Sequence, residues 1–514
     1  MAHGNSPHST STSSIHILDD DSLLHVFYLY RPFLLGEDEG EADRLYGGTK
    51  DWVRGRWWYG LAHVCQRWRN VILGSASYLG VSLICTYGTP VADMLAHSPP
   101  LPLVIDYFYE DHDITKDEEG AVLALKQRDR VRRVRLMMPV PDLLKLISAM
   151  DEEYPILEYL IIEPPTKDRS TILMLPETLQ APNLRHLTLI GFALPIGSRL
   201  LTTAVGLVTL CLIMNDPSTY FHPNALLHWL SLMPQLKTFV IIFLFAVPNH
   251  AIERQLTHTP ILTPVALSNL RLFRFVGVSA YLEALVRRVT TPRLETLEIF
   301  FFNQLTFSVP RLQQFSNTAE NLSLRFDSAE LRFYEKQVYV VVYPPGEAEM
   351  YTLFIDVSCC HLDWQVSSMA QISSSLSQLF SAVEHLALEH SVHHLSSEEH
   401  NEVDRAEWCK LLRSFRNVKT LRIDNGLVEQ LSRCLQLDDG ELPLELLPEL
   451  QELTYSGSGD AFTSFVHARQ NADRAVTLVR RSPSLQSVHI PVHVPSISYS
   501  ITPASNEAGN DFDT

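Results

Sequence analysis

A short apolar pattern recurs along most of the chain and limits its fold more than any other feature. Each unit has an apolar residue, a second one three positions later and a third two positions after that. Clear units are Val131/Val134/Leu136, Leu157/Leu160/Ile162, Leu184/Leu187/Leu189, Leu207/Leu210/Leu212, Leu236/Phe239/Ile241, Leu270/Phe273/Phe275 and Leu294/Leu297/Ile299. Looser units are Ala319/Leu322/Leu324, Met350/Leu353/Ile355, Val383/Leu386/Leu388, Val418/Leu421/Ile423, Leu450/Leu453/Tyr455 and Leu485/Val488/Ile490.

These units predict a stack of strand–helix repeats. The last two anchors of each unit alternate, as residues on the inner face of a short strand do. Apolar residues at helical spacing lie between the strands, as in Leu143, Leu144, Ile147 and Met150. One strand and one helix cannot bury their apolar faces alone, so the units must stack. We predict an α/β solenoid over residues 81–495; strands of a conventional α/β domain are the alternative.

The pattern resembles the leucine-rich-repeat family over most of residues 130–490. That family often carries Asn or Cys three places after the third anchor, and Asn215 matches this position. The repeat length is irregular, so the expected array is a distorted, helix-rich version. Residues 305–351 are expected to form an insertion or a break, with a strand within Gln337 to Tyr343 because Val338, Val340 and Val342 alternate with their neighbours.

The N-terminal residues 15–80 are predicted to form a small helical domain with an acidic insertion at 36–55. Asp19 or Asp20 can cap the first helix, since a carboxylate accepts hydrogen bonds from free N–H groups. Apolar residues share one face of each predicted helix: Leu23, Leu24 and Phe27 in the first, and Leu61, Val64, Cys65, Trp68 and Ile72 in the second. Two short helices cannot bury this much apolar surface against each other, so we expect a partner.

This domain resembles the F-box, which docks a substrate receptor onto the Skp-type adaptor of a cullin–RING ubiquitin ligase. The resemblance lies in Leu18 followed by a capped Leu-Leu-x-x-Phe helix and in the segment Val64-Cys65-Gln66-Arg67-Trp68-Arg69. It implies that a set of residues lines or supports the adaptor contact: Leu18, Leu23, Val26, Phe27, Val64, Cys65 and Trp68. The alternative is that they are ordinary core residues of a helical cap.

Composition excludes several classes of function. The net charge of −18 argues against a protein that binds the phosphate backbone of nucleic acid, and against an anionic membrane as partner. The seven scattered cysteines are typical of a reducing compartment, so we expect a cytoplasmic or nuclear protein. Residues 1–14 and 496–514 are polar and are predicted to be a disordered lead and tail.

We find no motif for a nucleophile, a phosphate loop or a cofactor, and we expect neither enzymatic activity nor a bound cofactor. His385, His390, His393, His394 and His400 form a histidine-rich segment with nearby glutamates, but serines mark it as a surface loop, so no metal site is predicted. The sequence therefore favours the substrate receptor of a Skp–cullin–F-box ligase, with an unknown target protein on the repeats. A leucine-rich-repeat scaffold without a ligase role is the first alternative, and an enzyme with a dispersed site is the second.

Overall fold

A computed structural model describes residues 18–31, 56–108, 118–165, 171–195, 197–244, 264–302, 304, 306–319, 322, 326–345, 351–390, 403–436, 446–456 and 461–481. The predicted lead, acidic insertion and tail lie outside these residues. The chain forms two compact units, Met1–Ile162 with Thr178–Ala181, and Glu163–Glu177 with Pro182–Thr514. The sequence predicts a domain boundary between the N-terminal helices and the repeats at residue 81. This boundary does not coincide with the division between the two units, and it stays a prediction.

Among the described residues, the first unit begins with the short helices α1 (Asp20–Tyr30), α2 (Trp57–Ala62), α3 (Gln66–Gly74) and α4 (Ala76–Leu79). Asp19 caps α1 as predicted, because its carboxylate accepts a hydrogen bond from the backbone N–H of Ser22 at 2.6 Å. The single helix predicted around Trp68 was wrong. It is divided into α2 and α3, and the link between them contains Val64 and Cys65.

Strands and helices alternate in the rest of the first unit: β1 (Leu83–Cys85), α5 (Val91–His97), β2 (Leu103–Phe108), α6 (Glu118–Leu125), β3 (Val131–Met137), α7 (Val140–Ser148) and β4 (Tyr159–Glu163). The strands lie in sequence order, and β1–β2 and β2–β3 are parallel pairs. This order agrees with the prediction, since a parallel neighbour requires a crossover and a helix supplies it.

The second unit contains the longer series of strands and helices. Its first half consists of β5 (Leu173–Met174), β6 (His186–Ile190), β7 (Phe192–Ala193), α8 (Arg199–Thr203), β8 (Thr209–Met214), α9 (Pro223–Ser231), β9 (Thr238–Phe243), β10 (Val265–Ala266), β11 (Leu272–Gly277), α10 (Ser279–Val286), β12 (Val289–Thr290) and β13 (Thr296–Phe301). Its second half consists of α11 (Pro310–Thr318), β14 (Ser328–Phe333), β15 (Val338–Tyr343), β16 (Leu353–Val357), α12 (Leu362–Ser375), α13 (Ser377–Phe380), β17 (His385–His390), α14 (Arg405–Leu412), β18 (Thr420–Ile423), α15 (Val428–Leu435), β19 (Glu452–Ser456), α16 (Thr463–Asn471) and β20 (Thr477–Arg481).

The main sheet of this unit aligns the predicted anchors from strand to strand. Leu210 of β8 is opposite Phe239 of β9, and Phe239 is opposite Phe273 of β11. The next strand continues the row with Leu297. All four side chains are buried. This shared register forms the continuous core that the repeat pattern predicts, and we call this side of the sheet the anchor face.

The regular parallel order of the sheet is interrupted at β14–β16, where the sequence predicts an insertion or a break. Strand β13 pairs in parallel with β16 rather than with β14, which follows it in the chain. Strand β15 is antiparallel to both of its neighbours, and β14 pairs in parallel with β17. The strand predicted within Gln337 to Tyr343 is confirmed as β15. The repeat unit predicted at Ala319 stays a prediction, because its third anchor, Leu324, lies outside the described residues.

Candidate interaction surfaces

The residues assigned to the adaptor contact by the F-box resemblance fall into two groups. Leu23 and Phe27 are buried, and Phe27 packs edge to face on Trp68 with ring centroids 5.0 Å apart. Val26 and Val64 are exposed, at 45% and 58%. Leu18, Cys65 and Trp68 are half-buried. The buried members support the helices, and the exposed members remain open to a partner.

An arginine holds the first helix against the third. Arg67 of α3 donates a hydrogen bond from Nε to the Asp20 carboxylate at 2.8 Å and another from Nη2 to the Leu18 carbonyl at 2.6 Å. Backbone hydrogen bonding from Ser22 lowers the pKa of Asp19, so this cap is ionised at neutral pH. These contacts fix α1 in place with Leu23 and Phe27 turned inward.

A second apolar face remains on α1. Val26, Leu29 and Tyr30 are spaced three and four residues apart, so they share one side of the helix. Leu29 and Tyr30 are 63% and 64% exposed, more than Val26. The sequence reasoning named Val26 but missed Leu29 and Tyr30, although their spacing from Val26 was the available signal. We call these three residues the α1 outer face.

The second candidate surface is on the sheet of the second unit, on the side opposite the anchor face. Side chains that alternate with the anchors form a separate apolar cluster there, made of Tyr339, Val341 and Phe354. Half-buried aromatic residues pack around this cluster: Phe300, Tyr334, Tyr343 and Tyr351. The register brings the cluster together, because Phe354 of β16 is opposite Val341 of β15. Sequence reasoning missed this surface.

One side of the aromatic cluster carries a buried ion pair. Arg274 of β11 and Glu298 of β13 are directly opposite in the register, and the Arg274 Nε contacts the Glu298 carboxylate. Tyr351 donates a hydrogen bond from its hydroxyl to the other Glu298 oxygen at 2.6 Å. The carboxylate therefore has partners at both oxygens, as a buried charge requires.

The other side of the cluster carries a network of acids and arginines. The Nη2 atom of Arg332 lies 2.8 Å from the Glu330 carboxylate, and its Nε lies 3.2 Å from that of Glu389. Arg422 contacts Glu389 and lies 3.7 Å from Glu330. Burial, followed by the like charge of Glu330, raises the pKa of Glu389. The arginines hold both acids in place at the edge of the cluster.

Asp356 is the exception among the acids of this face. It alternates with Ile355 and Val357 of the anchor face, so its side chain lies on the opposite side, and its cross-strand neighbours are Phe300 and Tyr339. It is 5% exposed, and no hydrogen-bond or ion-pair partner of its carboxyl occurs among the described residues. Burial raises the pKa of Asp356 to about 7.

The histidine-rich segment is only partly described by the structure. In the histidine-rich segment, His385 contacts the Thr420 hydroxyl through Nδ1 at 2.7 Å, while His393, His394 and His400 lie outside the described residues. In the part of the chain that the structure describes, no group of three or more His, Cys, Asp or Glu side chains could hold a metal ion. Within the same residues, every helix is too short or too polar to cross a membrane.

Comparison with known proteins gives a weak structural similarity and no sequence match. No protein-family profile and no curated protein sequence matches the chain. Among solved structures, the chain is similar to the leucine-rich repeat-containing protein LegL7 from Legionella pneumophila, with 10% sequence identity and a TM-score of 0.24. The match covers 76% of this chain and 98% of LegL7. A TM-score this low is too weak to support an assignment of the fold. The evidence for the repeat architecture is therefore the strand order and register.

Proposed function

We propose that the protein is a substrate receptor of a Skp–cullin–F-box ubiquitin ligase. In this proposal the N-terminal helices bind the Skp-type adaptor, and the repeat array holds a target protein. The chain does no covalent chemistry itself. It raises the effective concentration of the target near the catalytic subunits of the ligase.

The α1 outer face is the observation that carries this proposal. The buried face of α1 contains Leu23 and Phe27, and these residues pack into the core of the helical domain. Val26, Leu29 and Tyr30 contribute little to that core and present apolar surface to solvent. A contiguous exposed apolar face on a soluble protein is typical of a protein–protein contact. The F-box resemblance of the surrounding sequence supports a Skp-type adaptor as the partner.

A pull-down with the purified Skp-type adaptor tests the proposal. The full chain is compared with a Val26→Ser/Leu29→Ser variant, and Val205→Ser is the matched control because Val205 is a similarly exposed valine in the second unit. Each buried apolar side chain contributes about 1.5–3 kcal/mol, so the double variant should lose at least tenfold in affinity, or about 1.4 kcal/mol. The control should bind like the wild type.

The leucine-rich-repeat scaffold without a ligase role is the second candidate. The burial of Leu23 and Phe27 favours it, because two of the residues assigned to the adaptor contact serve the core instead. The same pull-down separates the two functions. If the wild type does not capture the adaptor, the scaffold is the better assignment, and equal capture by the double variant would remove the α1 outer face from the contact.

A further inference from the structure

The acids on the face opposite the anchors are unequally neutralised. Arg274 neutralises Glu298, while Arg332 and Arg422 neutralise Glu330 and Glu389. Asp356 lies on the same face and has no such partner among the described residues. The face therefore has one uncompensated negative charge when Asp356 is ionised, and the charge lies in its most apolar part.

Asp356 lies next to an aromatic cluster, because its cross-strand neighbours are Phe300 and Tyr339. Phe300 and Phe354 have ring centroids 5.0 Å apart, and Tyr339 lies 5.3 Å from Phe354. Tyr351 packs on Phe354 at 5.8 Å, and its hydrogen bond to Glu298 fixes its hydroxyl end. The negative faces of aromatic rings attract cations, most strongly where water is excluded. A carboxylate next to such rings complements a positively charged group.

We propose that the aromatic surface around Asp356 binds a lysine or arginine side chain of a partner polypeptide. The charged group would contact the Asp356 carboxylate, and its aliphatic stem would pack on Phe300 and Tyr351. Both rings are half-buried, so they lie at the outer edge of the cluster. This inference deepens the proposed target-binding role of the repeat array. It is independent of the adaptor contact on α1.

The proposed contact has a pH signature. The cation binds the ionised carboxylate, whose pKa is about 7 in the free protein, so affinity must fall as the pH drops below 7. Other titratable or charged groups lie near this region: Glu298 on β13, Arg332 on β14, Tyr339 on β15, Glu389 on β17 and Cys359 beyond β16. Burial raises the pKa of Tyr339 and of Cys359 well above neutrality, and Glu298 is paired with Arg274. Burial also raises the pKa of Glu389, but Arg332 and Arg422 hold its carboxylate on the other side of the cluster. A fall in affinity near neutral pH is therefore assigned to Asp356.

Calorimetric titration of the full chain with capped tripeptides tests the proposal. The probes are Gly-Lys-Gly and Gly-Arg-Gly, with Gly-norleucine-Gly as the uncharged control. At about pH 8 at least one basic peptide should bind more tightly than the norleucine peptide, and its affinity should fall towards about pH 5. Asp356→Asn should weaken its binding at least tenfold, as expected on losing a hydrogen bond to a charged group. The control is Glu335→Gln, the same chemical change in the exposed turn between β14 and β15.

Two results of the peptide titration would overturn the proposed cation contact. The first is that neither basic peptide binds the wild type at about pH 8. The second is that the wild type and Asp356→Asn bind a basic peptide equally well. The pH arm uses the wild type alone, so it remains decisive if the variant does not fold. Adaptor capture is measured on the same proteins and should be unchanged in Asp356→Asn. Failure of the peptide test is therefore distinguishable from failure of the proposed ligase role.

Discussion

Phe27 and Trp68 pack edge to face at the centre of the N-terminal helices, with ring planes at 66°. This pair joins α1 to α3, and Phe27 is only 1% exposed. Phe27 is therefore a structural residue of the helical domain, and its truncation alters the fold as well as any adaptor contact. The exposed residues of α1 are the informative ones for binding.

The first prediction concerns this division of roles. Phe27→Ala should lower the free energy of unfolding by about 3–5 kcal/mol, because it removes a buried ring and leaves a cavity. Leu29→Ala should change it by no more than about 0.5 kcal/mol, because Leu29 is exposed. Urea denaturation followed by tryptophan fluorescence measures both. Equal stability of the two variants would contradict the assignment of Phe27 to the core.

The anchors made much of the fold predictable. Alternation of Leu210 and Leu212 needs only local sequence, so the strand containing them was identified together with its inward face. The helix break at Val64 was missed because apolar residues continue the helical spacing across it. Strand β20 was missed because Thr477–Arg481 does not carry the anchor pattern.

The aromatic surface could not be predicted from local pattern. Phe300 and Phe354 are neighbours because β13 pairs with β16, and that pairing depends on the reversal of strand order at β14–β16. The alternating valines of β15 predict a strand but not its antiparallel direction. The cross-strand neighbours of Asp356, Phe300 and Tyr339, are set by the same long-range pairing. Sequence spacing carries no information about it.

The second prediction concerns Gly191, which follows β6. Its φ is +75°, and a Cβ there would lie 2.7 Å from Nδ2 of Asn215, the residue that matches the leucine-rich-repeat asparagine position. Gly191→Ala should destabilise the protein by about 1–3 kcal/mol, because a left-handed backbone and a close contact both oppose a side chain. Gly197→Ala is the control, since Gly197 has open space and no positive φ. Thermal unfolding measures both, and similar midpoints would refute the prediction.

The third prediction concerns the buried pair of Arg274 and Glu298. Glu298→Gln should cost about 3–5 kcal/mol, because it leaves the Arg274 charge buried without its partner. Glu295→Gln is the matched control, because Glu295 and Arg271 form an exposed pair on the same two chain segments, 4.0 Å apart. Its cost should be at most about 1 kcal/mol. Denaturant midpoints measure both, and the prediction fails if the two substitutions have equal effects.

The last prediction is a pH dependence of stability that originates from Asp356. Burial raises its pKa from 3.8 to about 7 in the folded protein, while the unfolded chain keeps the ordinary value. Between these two pH values the folded protein holds a proton that the unfolded chain has released. The free energy of unfolding therefore falls as the pH rises through this window, by an amount on the order of 4 kcal/mol, and this contribution is constant above it.

Asp356→Asn should remove this fall, because an amide does not ionise. The variant should match the wild type near pH 4, within about 1 kcal/mol, and should be the more stable protein above pH 7. Denaturation curves of the two proteins across this range measure the difference. Glu335→Gln, in the exposed turn, should follow the wild type at every pH. Parallel curves for the wild type and Asp356→Asn would mean that the carboxyl has a counter-charge in the folded protein, and the cation proposed to bind there would then have no free partner.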